Sequence, residues 1–489
     1  MTNINYEEWE PVIGLEIHAQ LDTKTKMFSR APNRYGDEPN TNISIADTGQ
    51  PGALPVINGE AVKKAVMFGL AIDADIALTS QFDRKSYFYP DNPRNFQITQ
   101  FEFPIVRGGV IEADVDGKTK RFDIHHAHLE DDTGMLKHFS KFTGIDYNRA
   151  GAPLIEIVSM PCMRSPGDAV AYAMALRSVM QYVGTSNCNM DEGSMRIDVN
   201  ISVRKKGEKG LRTKVEIKNM NSFSNMAQAI ESEFIRQVAL YVNNPDTPHN
   251  EVVHQSTCRF DLETKQTVVM RVKETADDYR YFPEPDLPPL VLTKEYIEEI
   301  KHNIPELPHE RYKRYVKKLK IGEYSATLLI NDKALSDEYE EALKHTTNAR
   351  SLCNWLTVEF VGRIKESGKS LSEFGIKAKN VADLVNLIES EVITGRIAKQ
   401  VADDMVQNPS LTPEEIVKAN PNYQPIKDAK VVEDIIDKVL AANPSSIEDF
   451  HGGKDRAFNY LVGQVMKETK GKASPDMVKE MIKAKIGDQ

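Results

Sequence analysis

Residues 128–159 read HLEDDTGMLKHFSKFTGIDYNRAGAPLIEIVS, and how this stretch folds decides the architecture around it. It opens on three consecutive carboxylates, Glu130, Asp131 and Asp132, and closes on Pro153–Val158, a nearly unbroken apolar run that holds Glu156. In a strand, Glu156 projects to the same face as Leu154 and Val158, and both faces read as buried. An unpaired ionised carboxylate in an apolar interior is strongly unfavourable or titrates to its neutral form. Glu156 therefore requires a cation: Arg149 just upstream, a distant basic side chain, or a metal. An ordinary Arg–Glu pair is the plain alternative.

Upstream, VIGLEIHAQL (residues 12–21) alternates sharply. Ile13, Leu15, Ile17, Ala19 and Leu21 share one face, and Glu16, His18 and Gln20 share the other. The strand repeat puts the Glu16 carboxylate and the His18 imidazole about 7 Å apart, and both suit a divalent cation. A lone Glu-x-His is also common on a solvated sheet face. Residues 28–55 are rich in Pro, Gly, Asn and Asp and read as a long ordered loop, of the kind that is more often functional than idle. A short helix is expected over 62–72. Residues 82–100 (FDRKSYFYPDNPRNFQITQ) have the composition of a loop lining a cleft, or of a surface loop anchored by its aromatics. An Asp-Gly turn at 116–117 marks a hairpin over 110–128 that delivers His128 and Glu130 to one face, whereas His125 and His126 read as incidental.

Downstream, Ser165 as N-cap and Pro166 at the first helical position begin a helix over 165–183. Residues 195–203 alternate again, with Arg196, Asp198, Asn200 and Ser202 on one face. Arg212, Lys214, Glu216 and Lys218 are expected to share the polar face of the next strand. Two such strands with apolar backs and charged fronts make a sheet whose open face is a working surface or, as the plain alternative, a solvated one. A solvated face favours Thr, Ser and Lys, and the mixture of Arg, Asp, Asn and Glu is more site-like. A helix over 219–242 follows. Four prolines within residues 283–289 mark a boundary.

Beyond it the pattern is almost wholly helical, with helices near 294–303, 308–319, 322–331, 333–344, 348–367, 378–390 and 394–407. Pro409, Pro413, Pro421 and Pro425 mark a second linker, and the tail carries short helices that include 431–441, 456–469 and 475–485. The fold class expected is α+β: a largely antiparallel sheet domain over 1–293, then a helical domain over 294–408 and a helical tail over 409–489. At 40% hydrophobic and 27% charged residues the chain has globular composition, and 489 residues suffice for two to four domains. No apolar run approaches the roughly 20 residues that span a bilayer, so no membrane association is expected and the cytoplasm is the expected compartment. The four cysteines show no metal-like spacing. A net charge of −10 argues against an unaided nucleic-acid binder but not against one local RNA-gripping surface.

The same segments resemble a known family. GLEIHAQL, EPNTN with PGALP, FDRKSYFYPD, HLEDDTG, DYNRAGAPLIEIVS, RSPGDA, RIDVNISVR, EIKNMNSF and DYRYFPEPDLPPL, in that order from Pro11 to Leu290, resemble the GatB/GatE family, the B component of the tRNA-dependent amidotransferases. The resemblance implies a catalytic cradle domain followed by helical and YqeY-like tail parts, the tail binding tRNA. It implies an ATP-dependent ligase that phosphorylates the side-chain carboxylate of Glu or Asp misacylated onto tRNA, then aminates the acyl phosphate. The implied partners are an amidase (the A component) that supplies ammonia, a small C component, and misacylated tRNA. This chain lacks the serine-rich signature of an amidase, so ammonia must come from a partner. By resemblance Glu16, His18, Glu130 and Glu156 fall on divalent-metal positions, taken as Mg²⁺, and Lys85, Arg196 and Asp198 are candidates for the polar cleft that handles nucleotide, ammonia or acyl phosphate. In one departure, many members carry Cys-x-x-Cys between EPNTN and PGALP. Here those positions are Ser44 and Asp47, so no zinc is expected.

Two other functions compete. A non-catalytic tRNA-binding scaffold explains polar strand faces but not Glu16, Glu130 and Glu156, since carboxylates repel phosphate. A free-standing metal-dependent ligase or phosphohydrolase of small molecules has no need of the long helical half.

Overall fold

The computed structural model describes residues 4–272, 276–423, 426 and 428–487. Strand β1 is Trp9–Gln20, and its odd-numbered residues Ile13, Leu15, Ile17 and Ala19 are buried as the alternation requires. The 83–99 segment, expected as a loop, folds into a hairpin of β2 (Asp83–Ser86) and β3 (Phe96–Thr99). β4 (Val110–Val115) and β5 (Lys118–Asp131) pair across a two-residue turn in which Asp116 and Gly117 both have positive φ. This is the backbone that an Asp-Gly pair supplies without strain. A further hairpin, not expected from the sequence, is made by β6 (Met135–His138) and β7 (Thr143–Asp146). β8 is Pro153–Ser159, β9 Met195–Lys205, β10 Val215–Met220, β11 Ser256–Asp261 and β12 Gln266–Val272.

Among the described residues the main sheet runs β12-β11-β10-β9-β1-β8-β5, continues through Val106–Arg107 to Asp75–Ile76, and carries β4 beside β5. Its pairs are antiparallel except β10 with β11. β8 flanks β1 only over Glu16–Gln20, so the Pro11 end of β1 pairs in the sheet with β9 alone. That is where a residue without an N–H is tolerated.

The apolar face is covered by α1 (Gly59–Ala71), α2 (Pro166–Tyr182) and α3 (Phe223–Asn243). Ser165 caps α2 by accepting a hydrogen bond from the Asp168 amide, with Pro166 at the first position. Phe68, Tyr172, Leu176, Met226 and Ile230 fill one continuous core with the odd residues of β1, β8 and β9. Covering one face in this way leaves the even-numbered residues of five adjacent strands on the other.

The chain divides into two compact units, the first running to Glu310 and the second beginning at Arg311. Helix 294–302 lies in the first unit, where Ile300 joins the main core. The second unit is helical throughout its described residues, and the helices expected from periodicity recur within a few residues of their expected ends. Pro413, expected to interrupt the chain as part of a linker, instead begins a helix over Pro413–Ala419, capped by Thr412 in a capping box with Glu415. Pro444 likewise begins a helix over Pro444–His451. Proline at the first helical position forfeits only an amide that has no partner there. Pro425 lies outside the described residues. One hydrophobic cluster spans Tyr315–Tyr423, and a separate one, centred on Ile436, Leu461, Val465 and Ile482, belongs to the tail.

Candidate active site

Strand register assembles the polar face. Glu156 on β8 sits opposite His18 on β1 and His128 on β5, and His18 sits opposite Arg196 on β9. Four strands thus contribute a row of His128, Glu156, His18 and Arg196, with Glu130 two residues from His128 on the same side. His18 Nε2 is 3.1 Å from Glu156 Oε2 and 3.8 Å from Glu130 Oε1. His128 Nε2 lies 3.6 Å from Glu156 and 3.7 Å from Glu130. Burial disfavours the His18 imidazolium, but Glu156 and Glu130 outweigh that penalty and push its pKa up to about 9. Burial likewise opposes ionisation of Glu156, yet His18, His128 and Lys85 hold it well below the usual carboxylate range. The cation that Glu156 requires is therefore not Arg149, which lies 3.4 Å from Asp132 and donates to the carbonyls of Thr133 and Gly134.

Lys85, on β2, joins this group. Its ammonium lies over the Tyr279 ring at 5.0 Å, and although burial opposes its charge, Tyr281, Glu130 and Glu156 keep it protonated. Arg196 donates to Asp132 at 2.9 Å, and Gln20 donates to the same carboxylate at 3.2 Å. The four expected metal ligands do not form one cluster. His18, Glu130 and Glu156 bring ligand atoms within 4.8 Å of one another, while Glu16 forms a second such group with Asp198 and Glu216. The split follows from register, since Glu16 faces Asp198 across β1–β9 and Asn200 faces Glu216 across β9–β10.

The two groups differ in charge compensation. In the second, the Lys218 ammonium lies 3.1 Å from Asp198 and 3.6 Å from Glu216, one cation against three carboxylates. Asn200 donates to Glu16 at 2.9 Å, while its Oδ1 is buried without a hydrogen-bond partner among the described residues. In the first, oxygen and imidazole donors converge, and His128 Nδ1 is buried without a partner among the described residues. Two carboxylates and an imidazole at this spacing fit a divalent cation. Glu216, Lys218, His128 and Asp132 are functional candidates beyond the expected site residues. All four have the parity of the polar face, which is the signal the sequence offers for them. Arg212 departs from its expected polar face: it stacks on Trp9 and Tyr241, on the apolar side, at 4.9 and 4.7 Å.

The loop position lacking Cys-x-x-Cys has its own cation. Lys26 is 0% exposed, and its ammonium lies 3.6 Å from Asp47, which also accepts from the Ser44 amide at 2.8 Å. Asp47→Asn would leave a buried ammonium unpaired, a loss of roughly 3–5 kcal/mol. Thermal or denaturant unfolding should register it as a large drop in stability; an unchanged midpoint would contradict the pairing.

Residues 11–298 match the GatB/GatE catalytic domain family and residues 337–486 match the GatB domain family. The B subunit of the aspartyl/glutamyl-tRNA(Asn/Gln) amidotransferase of Protochlamydia amoebophila strain UWE25 is 59% identical over 484 residues, covering 99% of this chain and 98% of that protein. The like-named proteins of Chlamydia abortus and Chlamydia pneumoniae are 57% and 56% identical over 477 residues, each comparison covering 98% of both chains. With a polar sheet face of this composition and matches across nearly its whole length, the chain belongs to the GatB/GatE family.

Proposed function

We propose that this chain is the carboxylate-activating component of a tRNA-dependent amidotransferase, working with an amidase and a small third protein on misacylated tRNA. The observation that carries the reading is the row His128–Glu156–His18–Arg196 with Glu130 beside it. Such a face gathers anionic reactants only if its own carboxylates are neutralised, which a scaffold for tRNA phosphates has no reason to build. We take His18, Glu130 and Glu156 as the residues that would hold Mg²⁺, with Glu16, Asp198 and Glu216 as an adjoining group whose charge Lys218 offsets in part. Bound there, Mg²⁺ would offset the charge of ATP phosphates and of the transferring phosphoryl group.

The substrate side-chain carboxylate is already ionised at neutral pH, so no residue need deprotonate it. Its oxygen attacks the γ-phosphorus of ATP, ADP leaves, and ammonia then attacks the acyl carbon and expels phosphate. Lys85 stays cationic and faces the approaching anions, while Asp132, held by Arg149, Gln20 and Arg196, fixes the Arg196 guanidinium. Neither role needs a Ser–His or Cys–His pair. The loop at Ser44 and Asp47 is taken to work without zinc, with Lys26 as its internal cation. No helix among the described residues is long and apolar enough to cross a membrane.

The assembled complex, given ATP, Mg²⁺ and misacylated tRNA without an ammonia donor, should form ADP, and correctly acylated tRNA should not replace the misacylated substrate. ADP formation indifferent to the tRNA would refute the reading.

Cation binding should depend on pH. His18 must lose its proton to offer Nε2, and against the cost of burial Glu156 and Glu130 leave its pKa raised to about 9. Below that pH, protons compete with the cation. Affinity for Mg²⁺ or Mn²⁺ should rise about tenfold per pH unit between about pH 6 and 8 for the one proton displaced. Calorimetry in buffers of different ionisation enthalpy reads the proton release directly. A pH-independent affinity would exclude His18 as a ligand.

A further inference from the structure

The β6–β7 hairpin is used by none of the chemistry above, yet it is the most conspicuous feature beside the polar face. At its tip Phe139 and Phe142 are 55% and 64% exposed, and their rings stack on each other with centroids 4.7 Å apart. The backbone that presents them is well paired. The Phe139 amide donates to the Phe142 carbonyl at 2.9 Å, and the His138 ring and the Thr143 hydroxyl share a 3.0 Å hydrogen bond across the strands. Lys137, His138 and Lys141 are exposed around the rings, giving a locally basic tip on a chain of net charge −10. The one acidic side chain of the hairpin, Asp146, is engaged at its root, where it accepts from the amides of Asn40 and Asn148.

That root is fixed to the candidate active site. Arg149 donates to the carbonyls of Thr133 and Gly134 immediately before β6, and also pairs with Asp132, the carboxylate that accepts from Gln20 and Arg196. A cleft of about 400 Å³ lies at the foot of the hairpin, lined in part by Gln20, Asn33, Tyr35, Lys137 and Arg149. From the root, a four-residue strand carries the tip about 13 Å outward. At roughly 3.4 Å per nucleotide that is the length of about four stacked nucleotides.

We propose that the 135–146 hairpin grips the acceptor end of the tRNA substrate, with Phe139 and Phe142 stacking on bases and Lys137 and Lys141 contacting phosphates. The inference rests on the proposed function, which requires the aminoacylated end of the tRNA to reach His18 and Glu130. Exposed aromatics interleaved with lysines are how proteins hold unpaired RNA, because every base offers a face to stack and the backbone offers charge. An apolar protein partner would be served by the two rings alone. The basic rim, on an otherwise acidic chain, selects a polyanion.

The test uses the assembled complex with two double variants, F139A/F142A and K137Q/K141Q, and reads tRNA binding separately from catalysis. Both variants should weaken binding of misacylated tRNA about tenfold or more and raise its KM correspondingly. KM for ATP, kcat at saturating tRNA, assembly of the complex and melting temperature should stay at wild-type values. F139W/F142W, which keeps the stacking faces, should restore binding. For K137Q/K141Q the slope of log affinity against log salt should flatten by about 1.4, near 0.7 for each single-strand phosphate no longer neutralised. Binding within twofold of wild type in both double variants would overturn the proposal, as would loss of the amidase from F139A/F142A with tRNA affinity retained. A wild-type complex that binds tRNA through the hairpin but makes no ADP would instead overturn the proposed function and leave this inference standing.

Discussion

Glu130→Gln is expected to lower the rate of amide formation by about a hundredfold or more while leaving tRNA binding and the fold near wild type. Glu130 is buried, faces both His18 and His128, and accepts a hydrogen bond from the Thr99 hydroxyl at 3.3 Å. Glutamine preserves volume and one acceptor oxygen, so Thr99 keeps a partner. What is lost is the charge and one of the two carboxylates that balance a divalent cation. Groups that merely orient a metal ligand cost roughly 10- to 100-fold when removed, so loss of a ligand is placed at the upper end of that range or beyond. Glu156→Gln should behave alike. Both carboxylates stabilise the imidazolium of His18, Glu156 more strongly, so losing either lowers the His18 pKa and shifts the pH dependence of cation binding to lower pH, Glu156→Gln the further. Excess Mg²⁺ should recover part of the activity in both variants. Wild-type turnover at limiting Mg²⁺ would remove these residues from the cation site.

Truncation after Tyr423 is expected to raise KM for misacylated tRNA by tenfold or more and to leave KM for ATP within about twofold. The tail has its own hydrophobic core, built from Val432, Ile436, Leu461, Val465 and Ile482, so its removal does not empty the core that ends at Tyr423. Its contacts with the preceding segment include polar ones: Thr394 donates to the Gly471 carbonyl, and the Lys472 ammonium donates to Asn422 at 3.4 Å. Lys454, Arg456, Lys467 and Lys470 are exposed and Lys472 partly so, and these are the cations proposed to meet tRNA phosphates. Such a module, close to charge balance overall, is expected to read RNA by shape and a few phosphate contacts. Equal tRNA affinity before and after truncation would exclude the tail as a recognition element.

Much of this arrangement is legible in residue order, for one physical reason. Strands buried on one face alternate with period two, and that parity alone places Glu16, His18, Gln20, Arg196, Asp198, Asn200 and Glu216 on a common side. What parity cannot supply is register. Whether Glu16 stands beside His18's ligands or beside Asp198 depends on which residues of β1, β8 and β9 are opposite one another, and that is set by turns and packing far away in sequence. One expected cluster is thus two. Composition misleads in two places. The 82–100 stretch has the character of a loop because its Asp, Asn and Pro residues belong to the connection between two short strands. Pro413 has the character of a break, although it opens a helix. The 135–146 hairpin is hidden in the sequence because its strands are four residues long and lack apolar alternation. Its aromatics serve no core, which leaves them free to meet a ligand.

Activation of the substrate carboxylate by direct phosphorylation on this chain is tested most directly by heavy oxygen placed in the side-chain carboxylate of the misacylated tRNA. Attack of that oxygen on the γ-phosphorus leaves it bonded to phosphorus, and it departs with phosphate when ammonia displaces the acyl phosphate. Direct phosphorylation predicts one labelled oxygen in each phosphate released per amide formed, in the wild-type complex supplied with glutamine or with free ammonia. Unlabelled phosphate, released at the same rate as amide, would contradict it.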